Sequence, residues 1–139
     1  MSFFEDEQRL TKHFCESWVD LLNDYKDMPI DLVTEKRNPN DKGELVRFRV
    51  KRAPSGPFAI GGTRRNFGSV LVQFTGPIGN GPERLLKAAD KVAEIFAPGD
   101  KPIRIGALRC KLPSAGGIGE EGTLATIVVD IPFVSDYSS

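Results

Sequence analysis

The stretch Asn66-Phe67-Gly68-Ser69-Val70-Leu71-Val72-Gln73-Phe74 decides the fold of this chain, together with the turn and the helix that follow it. Apolar residues alternate along its second half, which predicts a half-buried strand. A glycine-rich turn comes next, and an apolar stripe at helical spacing then runs to Phe96. This order of strand, glycine turn and helix is typical of a nucleotide-binding βα unit.

The turn nevertheless lacks the chemistry of a nucleotide site. A phosphate-binding P-loop needs a lysine directly after its last glycine and a hydroxyl beside that lysine, whereas Gly81 is followed by Pro82 and Glu83. Pro82 removes a backbone N–H, and Glu83 puts a carboxylate where the helix dipole would favour an anion. The glycines also stand in the wrong order for a dinucleotide fingerprint. We therefore interpret the turn as structural.

Length and composition predict one folded domain over residues 1–139. A chain of 139 residues buries a sufficient core without disulfides or metals. No apolar run is long enough to span a bilayer, and acids at the N-terminus replace the basic start of a signal peptide, so we expect a cytoplasmic protein without a membrane partner. Cys15 and Cys110 lack metal-ligand spacing, which predicts no metal site.

Charge is balanced overall but unevenly distributed. The first 35 residues hold nine acids and three bases, whereas residues 42–65 hold seven bases, opposed mainly by Glu44. This split has two interpretations. The acidic helix and the basic hairpin pair within one chain, or they pair head to tail between subunits and close a ring.

The first half of the chain predicts a long helix from Ser2 to about Lys26 and a short strand over 30–33. A strictly alternating strand follows from Leu45, with Arg47, Arg49 and Lys51 on its outer face and Phe48 facing the core. Glycines and prolines then predict a mobile loop over 53–64.

The second half predicts a helix that ends before Pro98, a strand over 103–110 that bends at Gly106, and a second mobile loop over 112–122. The final strand, 123–133, is apolar on both faces, which indicates a central position in the sheet. A loosely ordered tail from Ser135 should follow.

These elements predict an α/β (α+β) fold, a mainly antiparallel sheet of four to five strands with two helices packed on one face. The opposite sheet face carries polar side chains on two strands, yet the final strand is apolar there. A subunit interface over part of that face would reconcile the two observations.

The residues argue against an enzyme. His13 is the single histidine, and the sequence contains no G-x-S-x-G motif whose serine it could activate. We expect His13 to face solvent on the first helix. The adjacent Glu120 and Glu121 lack the spacing of a calcium loop. We assign no catalytic residue, no metal and no cofactor.

The order of elements resembles the tail-terminator proteins of long-tailed bacteriophages, the minor tail protein U type. The residues that carry the resemblance are the run 65–74, the turn Gly79-Asn80-Gly81, the helix 85–96 and the strand that ends Ile131-Pro132-Phe133. The likeness covers about Arg47 to Val134 and rests on the order of elements more than on an invariant motif.

The resemblance implies a homohexameric ring that sits on the end of the tail tube, stops its growth and offers its other face to a head-completion or neck protein. It implies a virion protein at the neck-proximal end of the tail, assembled in the host cytoplasm, with DNA passing non-specifically through the ring. The alternatives are another head–tail connector, or a small nucleic-acid-binding module that uses the basic hairpin.

The predicted assembly residues lie on the hairpin and on the second loop. They are Arg47, Arg49, Arg52, Phe58, Ile60, Arg64, Arg65, Ile118 and Glu120. Phe58 is equally compatible with a place in the domain's own core, so both interpretations stand.

Overall fold

The structure, a computed structural model, describes residues 3–21, 28–33, 35–40, 43–52, 63–77, 83–121 and 124–138. These residues form an α+β fold with two α-helices and one open sheet. The elements are α1 (Phe3–Leu21), β1 (Ile30–Asp31), β2 (Leu45–Arg52), β3 (Thr63–Pro77), α2 (Glu83–Phe96), a 3₁₀ turn (Pro98–Asp100), β4 (Arg104–Ile105), β5 (Leu108–Cys110), β6 (Ser114–Ala115), β7 (Gly119–Glu121) and β8 (Leu124–Ser138).

The sheet is larger and more mixed than the sequence predicted. Its strand order is β1-β2-β3-β8-β5-β4, and β6 and β7 also pair with β8. β1 pairs with β2 in parallel, and the other described pairs are antiparallel. The prediction of four to five antiparallel strands is therefore wrong in detail. The long strands β2, β3 and β8 form the centre of the sheet. The other strands have only two or three residues, too few to show the alternation that predicts a strand.

The predicted loops have different outcomes. Residues 53–62 lie outside the described part of the chain, and Thr63 and Arg64 belong to β3. The described part of 112–122 contains β6 and β7, which pair with β8; its mobility stays a prediction. The predicted bent strand over 103–110 is instead a hairpin, because the chain turns at Gly106, where φ is +61°, and β4 pairs antiparallel with β5. β8 continues through the residues predicted as a loose tail.

The 15-residue pairing of β3 with β8 sets the two faces of the sheet. Val70 faces Ile131, and Val72 faces Val129, in one unbroken register. These four side chains are at most 1% exposed. Because side chains alternate along a strand, the intervening residues point to the opposite face. We call the buried side the inner face and the opposite side the outer face.

Aromatic packing fixes both helices to the inner face. The Phe14 ring of α1 stacks on Phe48 of β2 at 4.9 Å and on Phe96 of α2 at 6.4 Å between centroids. Trp18 of α1 stacks on Phe74 of β3 at 5.4 Å. The prediction that both helices cover one face, with Phe48 in the core, is confirmed.

His13 contacts α2. We expected this side chain to face solvent. Its Nε2 atom lies 3.0 Å from the backbone oxygen of Ile95 on α2, and its ring meets Phe96 edge-on at 5.6 Å. No local pattern indicates this contact, since 82 residues separate the two hydrogen-bonded groups. The histidine therefore helps to join α1 to α2.

Gly68 allows the closest approach between two strands on the inner face. A Cβ atom at this position would lie 2.6 Å from the Cζ atom of Phe133 and 2.7 Å from the backbone oxygen of Lys51. Phe133 is 3% exposed, so its ring has little room to move aside. Glycine is required here by packing.

We expect Gly68→Ala to lower the free energy of unfolding by roughly 1–3 kcal/mol, because the added methyl group overpacks the core. Urea denaturation should show this as a lower midpoint. Gly117→Ala is the matched control, since no heavy atom lies within 4 Å of its added Cβ. Equal stability of the two variants would contradict the packing described for Gly68.

Candidate functional site

The outer-face arginines of β2 pair with a carboxylate of the same chain. Asp31 Oδ2 lies 2.7 Å from Arg49 Nη2 and 3.2 Å from Arg47 Nε. Arg49 also donates to the backbone oxygen of Asp31 at 2.8 Å. The carboxylate is 4% exposed, whereas the Arg47 side chain stays 46% exposed. These contacts fix β1 to the edge of β2.

The pKa of Asp31 responds to this environment. The backbone N–H of Arg37, which donates to Oδ1 at 2.8 Å, and then the guanidinium of Arg49 lower the pKa of Asp31 from 3.8 to about 2. Each donor stabilises the charged form of the carboxylate. Asp31 is therefore ionised at neutral pH and neutralises part of the basic charge predicted for partner binding.

Arg52 makes a second internal pair. Its Nη2 atom lies 3.1 Å from Glu7 Oε2 on α1. The acidic first segment and the basic hairpin thus meet within one chain, as the first of our two interpretations of the charge split proposed. For Arg47, Arg49 and Arg52, the described ion pairs are intramolecular.

Asp136 holds two arginines on the outer face of β3 and β5. Arg65 reaches its two carboxylate oxygens at 2.7 and 3.2 Å, and Arg109 reaches Oδ2 at 2.9 Å. The hydrogen bond from Arg65 is the main reason that the pKa of Asp136 lies below its usual value. Both arginines stay more than 40% exposed.

Register places further residues beside this cluster. Arg104 faces Arg109, Arg109 faces Val134, and Val134 faces Phe67, so these four residues form one row across β4, β5, β8 and β3. Lys111 follows β5 and donates its backbone N–H to Pro132 at 2.8 Å. We use the term basic face for a set of outer-face residues at this end of the sheet. They are Lys51, Arg65, Phe67, Arg104, Arg109 and Lys111.

The remaining outer face carries apolar and polar side chains together, with Gln73 and Asp130 lying beside Leu71 and Val128. Leu71, Val128 and Pro132 are partly exposed on β3 and β8, and Leu124 is 39% exposed at the start of β8. Both helices pack on the inner face, so neither covers these side chains. We call these four residues the apolar patch. The expected mixture of polar and apolar residues on this face is present.

The other predicted assembly residues lie on different elements or outside the described residues. Phe58 and Ile60 lie outside the described residues, and the Arg64 backbone pairs with Tyr137 in the sheet. Ile118 is partly buried against the core. Glu120 is exposed in β7 and faces Ala125. The structure therefore does not bring the whole predicted set together.

A buried polar cluster lies under the start of α1. Asp6 is 2% exposed, and Asn66 and Ser135, which face each other across β3 and β8, are at most 3% exposed. Burial is the main reason that the pKa of Asp6 lies above its usual value. Sequence reasoning counted Asp6 with the acidic helix surface, because helical spacing alone does not show which face a neighbouring strand covers.

A groove of about 910 Å³ lies between α1 and the β1–β2 edge, lined among others by Arg9, Lys12, Cys15, Leu32 and Val33. Among the residues that the structure describes, no three His, Cys, Asp or Glu side chains are grouped as metal ligands. Within the same residues, no helix is long and apolar enough to cross a membrane.

Comparisons with known proteins support the fold alone. No protein-family model matches the chain, and no curated protein does. One solved structure, whose name carries no function, is similar with a TM-score of 0.63 at 19% identity. The similarity covers 93% of this chain and 97% of the other. At this identity it shows a shared fold.

The pH dependence of stability tests whether the ion pairs of Asp31 stabilise the fold. A carboxylate whose pKa is lowered by folding stabilises the protein above its ordinary pKa, and this contribution disappears as pH falls through the folded value. Asp31→Asn should therefore be destabilised at neutral pH by on the order of 1–2 kcal/mol. The difference from the unsubstituted protein should shrink as pH falls from 3.8 to about 2.

Urea midpoints measured across this pH range give the comparison. Asp90→Asn, on the exposed face of α2, is the control and should change stability by less than about 0.5 kcal/mol. A difference for Asp31→Asn that stays constant from neutral pH to pH 2 would show that its ion pairs do not stabilise the fold.

Proposed function

We propose that this protein is a structural assembly protein, a tail terminator that forms a homohexameric ring on a phage tail tube. The ring stops tube growth and presents its other face to a head-completion or neck protein. The protein acts in the virion, at the neck-proximal end of the tail, after assembly in the host cytoplasm. Its work is done by surface complementarity, without a cofactor or a catalytic residue.

The apolar patch is the observation that supports this proposal best. Leu71 and Val128 lie on the two central strands of a sheet whose other face packs against both helices. An apolar sheet face without a covering layer is a site for another protein. We assign it to a second copy of this chain, because a ring needs each subunit to offer a surface to its neighbour.

Charged residues border the patch and can set its register. Arg47 lies in the same row as Val128, and Arg49 lies in the same row as Leu71 and Asp130. Their internal pairing with Asp31 holds both guanidinium groups in place. Ordered charges at the rim of an interface give specificity more than affinity. These two predicted assembly residues therefore keep a role, as positioned rim groups.

The ring proposal predicts that Val128→Lys abolishes length control. A lysine at the centre of the patch places a charge in the subunit contact, which is costly when desolvated. Tail-tube protein polymerised with the unsubstituted protein should give short, capped tubes in electron micrographs. Val128→Lys should give tubes of uncontrolled length while its thermal unfolding midpoint stays close to that of the unsubstituted protein.

Leu86→Lys is the matched control, because Leu86 is 47% exposed on α2, away from the outer face. Tubes capped by Leu86→Lys and not by Val128→Lys would support the apolar patch as the ring contact. Capping that survives Val128→Lys would contradict the assignment of the patch. Uncontrolled tubes with the unsubstituted protein would contradict the terminator function itself.

A further inference from the structure

Three segments far apart in sequence bring positive charge to one end of the outer face. Lys51 comes from β2, Arg65 from β3, and Arg104, Arg109 and Lys111 come from the β4–β5 region. The sheet carries two outer-face carboxylates near them, Asp136 within the cluster and Asp130 beyond it on β8. The chain as a whole has no net charge, so this excess is local.

Two kinds of cation are present on the basic face. Arg65 and Arg109 are held by Asp136, so their guanidinium groups are fixed in place and carry a net positive charge with that carboxylate. Lys51, Arg104 and Lys111 are exposed, and no ion pair is described for them within the described residues. Arg104 donates Nε to the backbone oxygen of Gly106 at 3.0 Å. The face therefore combines oriented and adaptable cations.

An exposed aromatic ring completes the row. Phe67 is 37% exposed, and Val134, 6% exposed, lies between it and Arg109. Cations that follow a phosphate backbone, beside an aromatic ring on which a base can stack, are the features of non-specific single-strand binding.

We propose that the basic face binds single-stranded nucleic acid without sequence preference. Arg104, Arg109 and Lys111 contact backbone phosphates, and Phe67 stacks on one base. A single strand fits better than a duplex, because a paired base has no free face for Phe67. An acidic peptide would use the cations and leave the aromatic ring without a role. The basic face borders the apolar patch at Pro132, but its cations and its aromatic ring all belong to one chain, so this binding does not depend on ring formation.

Fluorescence anisotropy with a labelled oligothymidylate tests the proposal. The unsubstituted protein should bind it, with affinity that falls steeply between roughly 50 and 200 mM salt. The double variant Arg104→Gln with Lys111→Gln should bind roughly tenfold more weakly. Its slope of log affinity against log salt should be shallower by about 1.4, because two phosphate contacts are lost. Neither residue holds a described carboxylate, so the fold should be retained.

Lys87→Gln with Lys91→Gln is the matched control, with the same loss of charge on the exposed face of α2. It should bind like the unsubstituted protein. Equal weakening by both double variants would show a response to net charge alone and would overturn the site. Failure of the unsubstituted protein to bind the oligonucleotide at low salt would overturn the proposal as well.

Phe67→Ala separates a single strand from other polyanions. It should weaken oligothymidylate binding by about tenfold, the usual order for one base stacked on an aromatic ring, and leave binding of the corresponding duplex unchanged. Leu86→Ala on α2 is its control and should bind normally. Duplex DNA and polyglutamate, an acidic peptide, serve as competing ligands. If either binds more tightly than oligothymidylate and Phe67→Ala has no effect, the assignment of the ligand is contradicted.

Discussion

The pairing of β3 with β8 is the constraint on which the rest of this structure depends. Fifteen residues of each strand face one another without a break. A shift of one residue would move every side chain of a strand to the other face. Such a shift of β3 would expose its buried residues that contact the helices and would bury Arg65. The inner core and the outer surface are therefore consequences of one register.

That register divides the outer face into regions with different chemistry. The apolar patch lies along the middle and the start of β8, and the basic face lies where β5 and the start of β3 join the end of β8. On the inner side, Phe14 connects α1 to β2 and α2. Neither helix covers the outer face, and the proposed ring and the proposed nucleic-acid contact use adjoining parts of it.

Much of the fold was predictable from local pattern. The alternation from Leu45 placed Phe48 in the core and Arg47 outside, and the apolar final strand indicated a central position. The short margin strands were not predictable, because two residues carry no periodicity. The contribution of β4 and β5 to the basic face was missed for a related reason. Arg109 and Phe67 are 42 residues apart, and only the pairing of both strands with β8 brings them into one row. The pairing of Asp31 with two arginines likewise depends on a parallel contact.

The mass of the assembly in solution, measured by light scattering across protein concentration and salt, tests the central claim most directly. A homohexameric ring formed through the apolar patch should appear as a discrete hexamer at high protein concentration. We also predict that moderate salt weakens the hexamer little, because the proposed contact is apolar and the described charges of the hairpin pair largely within the chain. A closed dimer or trimer, or a monomer at every concentration, would contradict the proposed hexameric ring.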